Sequence, residues 1–345
     1  MTTMVRVAER AGELADRLGR YIQHRLSLAE PAEICGLVQI PGGASRETWS
    51  FDAAWEDEEG RHTWPLIVRR DPVAGLLETD RDREFAVYRA LQGSSIPVPP
   101  VYWLERDSAW LERPFFIMGR VPGIATPDAV LKGEFGSPEV IGHEMARILA
   151  DIHMFDWTKH DLEALGPPPA PNECASREVE HWQRIYERES FEPRPILDAA
   201  FRWLRAHPPT AERISLVHGD YRTGNYLVTH DGITAVLDWE MAHLGDPMED
   251  LGWTCMRFWR WARDDRVGGV LTREQFFHRY EEAGGPRVDL DSVHYWELLG
   301  NLKMAIICIT GARSFVEKRA VNATLAMVGR AVAPLELELL DMMGL

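Results

Sequence analysis

The segment SLVHGDYRTGNYLVTHDGITAVLDWE, from Ser215 to Glu240, constrains the fold of this chain most strongly. Two apolar, strand-like runs meet at Asp231-Gly232, a dipeptide typical of the two-residue turn of a β-hairpin. Such a turn fixes which residues lie opposite each other. The predicted pairs are His230 with Ile233, Val228 with Ala235, and Asn225 with Asp238. The Asn225 amide and the Asp238 carboxylate are therefore expected to converge.

These two side chains suit a hard metal ion. Amide and carboxylate oxygens without His or Cys are the ligands that Mg²⁺ prefers, and Mg²⁺ takes its remaining ligands from water and substrate phosphates. Asp220 precedes Asn225 across a loop in which Gly224 permits a sharp reversal. A carboxylate beside a metal can accept the proton of an attacking hydroxyl. The pattern predicts phosphoryl transfer, with one acid for the nucleophile and an Asn and an Asp for the metal.

Composition and charge narrow the class of protein. The chain has 345 residues, 45% of them hydrophobic and 27% charged, as in a folded globular protein. Its formal net charge of −16 disfavours a nonspecific grip on nucleic acid or an anionic membrane. The four cysteines form no CxxC pair, and the charged N-terminus lacks the apolar core of a signal peptide. We expect a cytoplasmic protein without a nucleic-acid partner or a membrane span; the oligomeric state is left open.

The order of elements predicts a β-rich first part and a helical second part. Leu14, Leu18 and Ile22 share one helical face, and three strand-like runs follow between residues 34 and 70. A helix is expected over DRDREFAVYRALQG, and two strands around an Asp-Ser turn over VYWLERDSAWLERPFFIM. Ser137-Pro138 and the Thr272–Gln275 capping box open later helices.

The motifs HGDYRTGN and LDWE resemble the signature of the aminoglycoside phosphotransferase family, and HLGDPMEDLGW matches a further family segment. The segments LIVRRDP and LDWE resemble those of the branch of the family associated with acyl-CoA dehydrogenases. The resemblance implies an α+β, bilobal, protein-kinase-like fold with an antiparallel β-rich N-lobe and a mainly helical C-lobe. It implies Asp220 as catalytic base, Asn225 and Asp238 as Mg²⁺ ligands, and ATP or GTP as co-substrate. Glu240 is either a second metal ligand or a solvated neighbour.

The resemblance also divides the chain and places a nucleotide site in its first part. Residues 1–118 would form the nucleotide-binding lobe, and residues 119–345 the helical lobe with the catalytic loop, the metal-binding hairpin and the acceptor site. Arg69 or Arg70 would replace the phosphate-binding lysine, with Arg69 preferred from strand alternation. Glu84 is either the helix partner of that cation or an exposed helix acid. The candidate nucleotide-binding residues are Gly42, Gly43, Ser45, Arg69, Glu84, Met118, Arg120 and Val121.

The acceptor is a hydroxyl-bearing small molecule whose class the sequence leaves open. The segment GWTCMRFWRWARDDR carries four arginines at three-residue spacing, interleaved with tryptophans. It predicts either an amphipathic helix with a solvated basic face or the rim of an acceptor pocket for a hydroxy acid or acyl conjugate. An aminoglycoside-like amino sugar is the other acceptor class. The alternative function is a nucleotide-binding pseudokinase, which the arginine in place of lysine favours.

Overall fold

A computed structural model of the chain describes residues 2–40, 47–71, 81–261, 265–319 and 323–345, with side chains over these ranges except 2–10 and 323. The helices are α1 Thr2–Leu26, α2 Arg81–Leu91, α3 Ser108–Leu111, α4 Pro127–Leu131, α5 Pro138–Met154, α6 Cys174–Glu189, α7 Pro195–Ala206, α8 Met248–Cys255, α9 Arg273–Glu282, α10 Leu290–Val316, α11 Ala323–Val328 and α12 Val332–Met343. The strands are β1 Glu33–Ile40, β2 Glu47–Asp57, β3 Gly60–Arg70, β4 Val101–Glu105, β5 Phe115–Gly119, β6 Ser215–Val217, β7 Tyr226–Thr229, β8 Gly232–Val236, β9 His243–Gly245, β10 Arg266–Val267 and β11 Leu271–Thr272.

The residues group into two compact units. A sheet unit comprises Met1–Gly75 and Pro99–Val121, and a helical unit comprises Leu76–Val98 and Pro122–Leu345. Helix α2, which the sequence places in the N-terminal lobe, groups with the helical unit, where its Tyr88 hydroxyl accepts a hydrogen bond from the Asp238 backbone N–H at 3.0 Å. The functional division at residue 118 stays a prediction.

The sheet unit is a five-stranded antiparallel sheet covered by α1. The strand order is β1-β2-β3-β5-β4. The predicted amphipathic face of α1 is confirmed, because Leu14, Leu18 and Ile22 are buried against one face of the sheet. Each buried aliphatic side chain contributes about 1.5–3 kcal/mol relative to exposure. Apolar burial against α1 therefore holds this unit together.

The connection between β4 and β5 differs from the prediction. The Asp-Ser turn expected there is a one-turn helix, α3, because the Asp107 side chain accepts a hydrogen bond from the Ala109 N–H at 2.9 Å and caps it. The two flanking strands are as predicted.

Helix α10 is the central helix of the helical unit. By length and composition it could cross a membrane, but 72% of its most apolar window is buried inside the protein, as in a core helix. The predicted caps around it are confirmed. The Ser137 side chain caps α5 with Pro138 at its first position, and Thr272 and Gln275 form the reciprocal capping box of α9.

The register of the β7–β8 hairpin corrects the prediction. Thr229 lies opposite Gly232, so the turn residues are His230 and Asp231 rather than Asp231 and Gly232. The Glu144 carboxylate of α5 accepts a hydrogen bond from the Ile233 N–H at 2.8 Å, and a Cβ on Gly232 would lie 2.5 Å from the same carboxylate. This close approach from α5 fixes Gly232 at the start of β8.

A bulge between Leu227 and Val228 adds a second shift. The three predicted pairs are therefore wrong. Val228 lies opposite Ile233, Leu227 lies opposite Ala235, and the Leu237 N–H donates to the Asn225 carbonyl at 2.8 Å. Asn225 is thus opposite Leu237, and Asp238 follows one residue later.

Candidate active site

Asp220 lies in the loop between β6 and β7, and three donors hold its carboxylate. The Asn225 Nδ2 donates to Oδ2 at 2.6 Å, and the Trp253 indole N–H donates to Oδ1 at 2.8 Å. The Arg222 Nε donates to the same Oδ1 at 3.1 Å. The side chain retains 16% exposure, so a small molecule can reach it. Hydrogen bonds from three donors fix the orientation of this carboxylate.

The backbone before Asp220 is held equally firmly. The Asp220 N–H donates to the His218 Nδ1 at 3.1 Å, and the His218 Nε2–H donates to the Leu237 carbonyl at 2.9 Å. Burial lowers the pKa of His218, so the neutral imidazole matches this donor and acceptor pattern. His218 therefore joins the loop to the end of the hairpin.

A buried carboxylate on α8 anchors the same loop. Asp250 accepts hydrogen bonds from the backbone N–H groups of His218 and Gly219 at 2.7 and 2.9 Å, and His153 of α5 approaches it at 3.1 Å. Burial alone would raise the pKa of the Asp250 carboxyl, but these partners outweigh burial and lower it. Asp250 lies in the first turn of α8, which starts at Met248, and its carboxylate holds the loop.

Asn225 and Asp238, the candidate metal ligands, lie at the open end of the hairpin. The Asn225 Nδ2 is bonded to Asp220, which leaves its carbonyl oxygen as the ligand atom. Asp238 adopts a left-handed conformation with φ 68° and ψ 54°, and its backbone N–H donates to the Tyr88 hydroxyl. A non-glycine residue in this region costs free energy that the surroundings must offset. The donor set of amide and carboxylate oxygens fits Mg²⁺.

The candidate nucleotide-binding residues lie mostly in the sheet unit. Arg69 and Ile67 share the face of β3 opposite Leu66, Val68 and Arg70, as alternation predicts. Arg70 is 8% exposed, donates to the Leu111 carbonyl at 3.0 Å and pairs with Glu47 at 2.8 Å. Since Arg70 is committed to structure within this unit, Arg69 is the better candidate for a phosphate contact.

The remaining candidates have varied environments. Met118 is buried at the end of β5, and Val121 is half-buried. Arg120 is exposed and pairs with Asp52 at 2.6 Å. Glu84 of α2, in the helical unit, is fully buried, so the alternative of an exposed helix acid is wrong. Gly42, Gly43 and Ser45 lie outside the described residues.

The arginine-rich segment after α8 is not the predicted helix. Within the described residues it forms a short 3₁₀ turn, Arg257–Trp259, and then strand β10. Arg260 pairs with Glu297 of α10 at 3.1 Å, and Arg266 pairs with Glu139 at 3.1 Å. Arg260 and Arg266 therefore form ion pairs and do not lie along one face of a helix. Arg263 lies outside the described residues.

A cavity of about 460 Å³ opens within the helical unit, next to the hairpin. Lys303 and His243 line it, and they pair with Glu249 at 3.6 and 3.0 Å. Glu178 faces His243 at 3.9 Å. Glu240, which follows the hairpin, is half-buried and also lines the cavity. The other ionisable residues of the lining are Arg83, Arg177, Glu180, His181, Arg184 and Arg188.

Three residues around Asp220 escaped prediction from sequence. Trp253 lies far from Asp220 along the chain, and Tyr88 and Lys303 lie farther still. The only signal was the segment HLGDPMEDLGW, which contains Asp250 and ends at Trp253. Tyr88 and Lys303 had no sequence signal, because a helical Tyr and a Lys within an apolar run are also typical of ordinary packing.

Comparison with known proteins decides the family. A model of the phosphotransferase enzyme family matches residues 36–290, which is most of the chain. The chain belongs to the phosphotransferase enzyme family. A phosphotransferase crystal structure from Ralstonia eutropha, assigned to the aminoglycoside group, has a TM-score of 0.73 at 26% identity and covers 94% of this chain and 97% of that one. The predicted family and kinase-like fold are confirmed.

Two relatives of this phosphotransferase differ in length and in name. The mouse acyl-CoA dehydrogenase family member 10 is 33% identical over 291 residues, covering 79% of this chain and 26% of that protein. The hygromycin-B 4-O-kinase of Escherichia coli is 26% identical over 271 residues, covering 74% of this chain and 71% of that protein. The chain thus spans about a quarter of the longer relative. Its 33% identity to that protein confirms the predicted likeness to the branch associated with acyl-CoA dehydrogenases.

Proposed function

We propose that this phosphotransferase moves the γ-phosphate of ATP or GTP to the hydroxyl of a small molecule, with Asp220 as the base. The observation that carries the proposal is the Asp220 carboxylate, fixed by Asn225 and Trp253 yet still reachable by a small molecule. An acceptor hydroxyl would donate to this carboxylate. As the bond from the acceptor oxygen to the γ-phosphorus forms and the bond to the bridging oxygen breaks, the proton passes to Asp220 and the nucleoside diphosphate leaves.

Asn225 and Asp238 would hold Mg²⁺ through their oxygens. When bound, the ion would offset the negative charge that develops on the leaving group. The chain's own part is to present the two oxygens together. Two contacts support this role. The Leu237 N–H donates to the backbone carbonyl of Asn225, and the Asp238 N–H donates to the Tyr88 hydroxyl. Glu240 would be a further ligand or a wall of the acceptor site.

Arg69 would contact nucleotide phosphates, with Met118, Arg120 and Val121 near the base and Glu84 in support. An arginine fork can hold phosphate oxygens bidentately, so replacement of the usual lysine does not preclude transfer. Gly42, Gly43 and Ser45 belong to this proposal from sequence alone. A reducing compartment such as the cytoplasm is also part of it, and it is supported by four cysteines that are all free.

The cavity of the helical unit would bind the acceptor. Its lining has five Lys and Arg side chains and the His243 imidazole against four glutamates, which favours an anionic compound over a polycationic amino sugar. The names of the acyl-CoA dehydrogenase relatives also support an anionic, acyl-bearing acceptor. We therefore favour a hydroxy acid or its acyl thioester as the acceptor, with an amino sugar as the competing class.

The variant Asp220→Asn tests transfer against the pseudokinase alternative. Loss of the base should lower kcat by roughly 10²–10⁴ while the Kd for Mg²⁺-nucleotide stays unchanged. Phosphate transfer would be followed by nucleoside diphosphate release over a panel of hydroxy acids, thioesters and amino sugars. Asp231→Asn, an exposed position at the hairpin turn, is the matched control and should behave as wild type. Wild-type binding of nucleotide without turnover on any acceptor would favour the pseudokinase.

A further inference from the structure

Lys303 is a buried lysine in the middle of α10. It is 3% exposed, and its Nζ donates to the Gly219 carbonyl at 2.8 Å. A buried ammonium is costly unless it is paired and hydrogen-bonded. Lys303 meets this condition with the Glu249 carboxylate at 3.6 Å and the face of Trp253 at 4.6 Å from the ring centroid. Its partners are therefore the loop that carries Asp220 and the α8 helix that supports it.

The Gly219–Asp220 peptide is held at both ends. Lys303 binds its carbonyl oxygen, and its N–H donates to the His218 Nδ1 at 3.1 Å. Gly219 has φ +80°, and a Cβ there would lie 2.6 Å from the Met241 carbonyl oxygen. A peptide fixed on both sides cannot rotate without breaking one of these bonds. The direction in which the Asp220 side chain leaves the backbone thus depends on Lys303.

The same ammonium acts on Asp220 by a second route. It lies against the Trp253 ring whose indole N–H donates to the Asp220 Oδ1 at 2.8 Å. A cation over the face of a desolvated indole attracts the ring and favours this orientation of it. Backbone and side chain of Asp220 therefore have a common support.

The charge of Lys303 is balanced locally. Glu249 pairs with Lys303 through Oε1 and with the His243 Nε2 through Oε2, at 3.6 and 3.0 Å. The His243 Nδ1 contacts the Met241 carbonyl at 3.0 Å. Both ring nitrogens thus face acceptors, which is the pattern of an imidazolium. With Glu178 opposite, two cations and two carboxylates form a neutral group.

We propose that Lys303 is a positioning residue for Asp220, which orients the base through the Gly219 carbonyl and the Trp253 ring. This inference rests on the proposed role of Asp220. Catalysis then requires the Lys303 ammonium even in a variant in which the remaining buried charges balance each other.

The double variant Lys303→Met with Glu249→Gln separates these roles. Lys303→Met alone leaves the Glu249 carboxylate without its ammonium and should destabilise the helical unit. Adding Glu249→Gln removes the excess charge and should recover the melting temperature. If Lys303 positions the base, kcat of the double variant stays about 10- to 100-fold below wild type, with KM for the nucleotide within about twofold. Recovery of kcat together with stability would overturn the proposal.

Thr310→Val is the matched control on the same helix. Thr310 is 2% exposed, and its hydroxyl donates to the Ile306 carbonyl one turn earlier at 2.9 Å. This variant changes a buried polar group of α10 without touching the loop, so kcat should stay at the wild-type value. A loss of kcat equal to that of the double variant would show that any change in α10 has this effect, and the positioning role would fall.

Hydrogen exchange distinguishes failure of this proposal from failure of the proposed function. If wild-type protein transfers phosphate to no acceptor, the proposed function fails, and exchange of the Asp220 amide decides the positioning role by itself. Faster exchange of that amide in the double variant, with exchange of the α1 amides unchanged, supports the positioning role. Unchanged exchange at Asp220 overturns it.

Discussion

His243 is the residue whose charge state depends most clearly on its surroundings. Burial alone would lower the pKa of its imidazole, but the Glu249 and Glu178 carboxylates raise it to about 9. Burial alone would raise the pKa of Glu178, but the nearby charges of His243 and Lys303 lower it. The groups facing His243 are Glu178 of α6, Glu249 of α8, Lys303 of α10 and the Met241 carbonyl, with His181 nearby on α6.

This shift predicts the pH dependence of stability. A histidine whose folded-state pKa lies above its unfolded value stabilises the protein fully below pH ~6.5 and loses that contribution as pH rises through about 9. The contribution should be of the order of 1–3 kcal/mol. Urea unfolding between pH 7 and 10 should show a fall in free energy of unfolding in wild type and a smaller fall in His243→Gln. His294→Gln, which removes a bond to the Met342 carbonyl and an edge contact with the Trp203 ring, is the control. Equal slopes in wild type and His243→Gln would refute the charged state.

The hairpin shows what sequence patterns could and could not provide at the element scale. The DG dipeptide predicted the hairpin itself, and the strands and the proximity of Asn225 to the end of the ribbon followed. The register did not follow, because Glu144 of α5 holds Ile233 and a bulge lies after Leu227. Both effects come from packing in three dimensions, which local turn preferences do not contain.

The helix-to-helix contacts were hidden for the same reason. Spacing predicted helices and their caps, including Ser137 and the Thr272–Gln275 box. It did not predict that α8 and α10 would pack at Gly252, or that Trp253 and Lys303 would meet beneath Asp220. The candidate site residues Asp220, Asn225 and Asp238 could be proposed from sequence because they lie in one short segment, whereas the residues that support them come from separate helices.

Gly252→Ala tests the contact between α8 and α10. A Cβ at this position would lie 2.5 Å from the Glu297 backbone nitrogen and 2.6 Å from the Trp296 carbonyl carbon, so the two helices must separate. Overpacking of this kind costs about 1–3 kcal/mol. Because α8 carries Asp250 and Trp253, kcat should fall as well as melting temperature. Gly12→Ala, on α1 with no atom within 4 Å of the new Cβ, is the control and should be neutral or slightly stabilising. Wild-type kcat in Gly252→Ala would show that α8 does not set the geometry of the loop.

At the scale of the whole molecule, the charge of the cavity opposes that of the chain. The chain carries a formal charge of −16, yet cationic groups outnumber carboxylates in the cavity lining. A negative protein that gathers cations at one concave site is suited to an anionic ligand there, because charges within about 8 Å dominate at physiological salt. This local excess, rather than the net charge, bears on the acceptor class.

The acceptor class can be tested with one cavity variant. We expect 3-hydroxybutyrate or its coenzyme A thioester to be phosphorylated with higher kcat/KM than hygromycin B. Arg184→Gln should raise KM for the anionic acceptor several-fold, by about 1 kcal/mol of lost attraction, with little change in kcat. Arg205→Gln, on α7, is the matched control, because Arg205 is an exposed arginine that stacks on the Phe201 ring and is not among the residues lining the cavity. Turnover of hygromycin B alone would refute the anionic acceptor and leave the proposed transfer with Asp220 as base standing, since the proposed base and the proposed pocket consist of different residues.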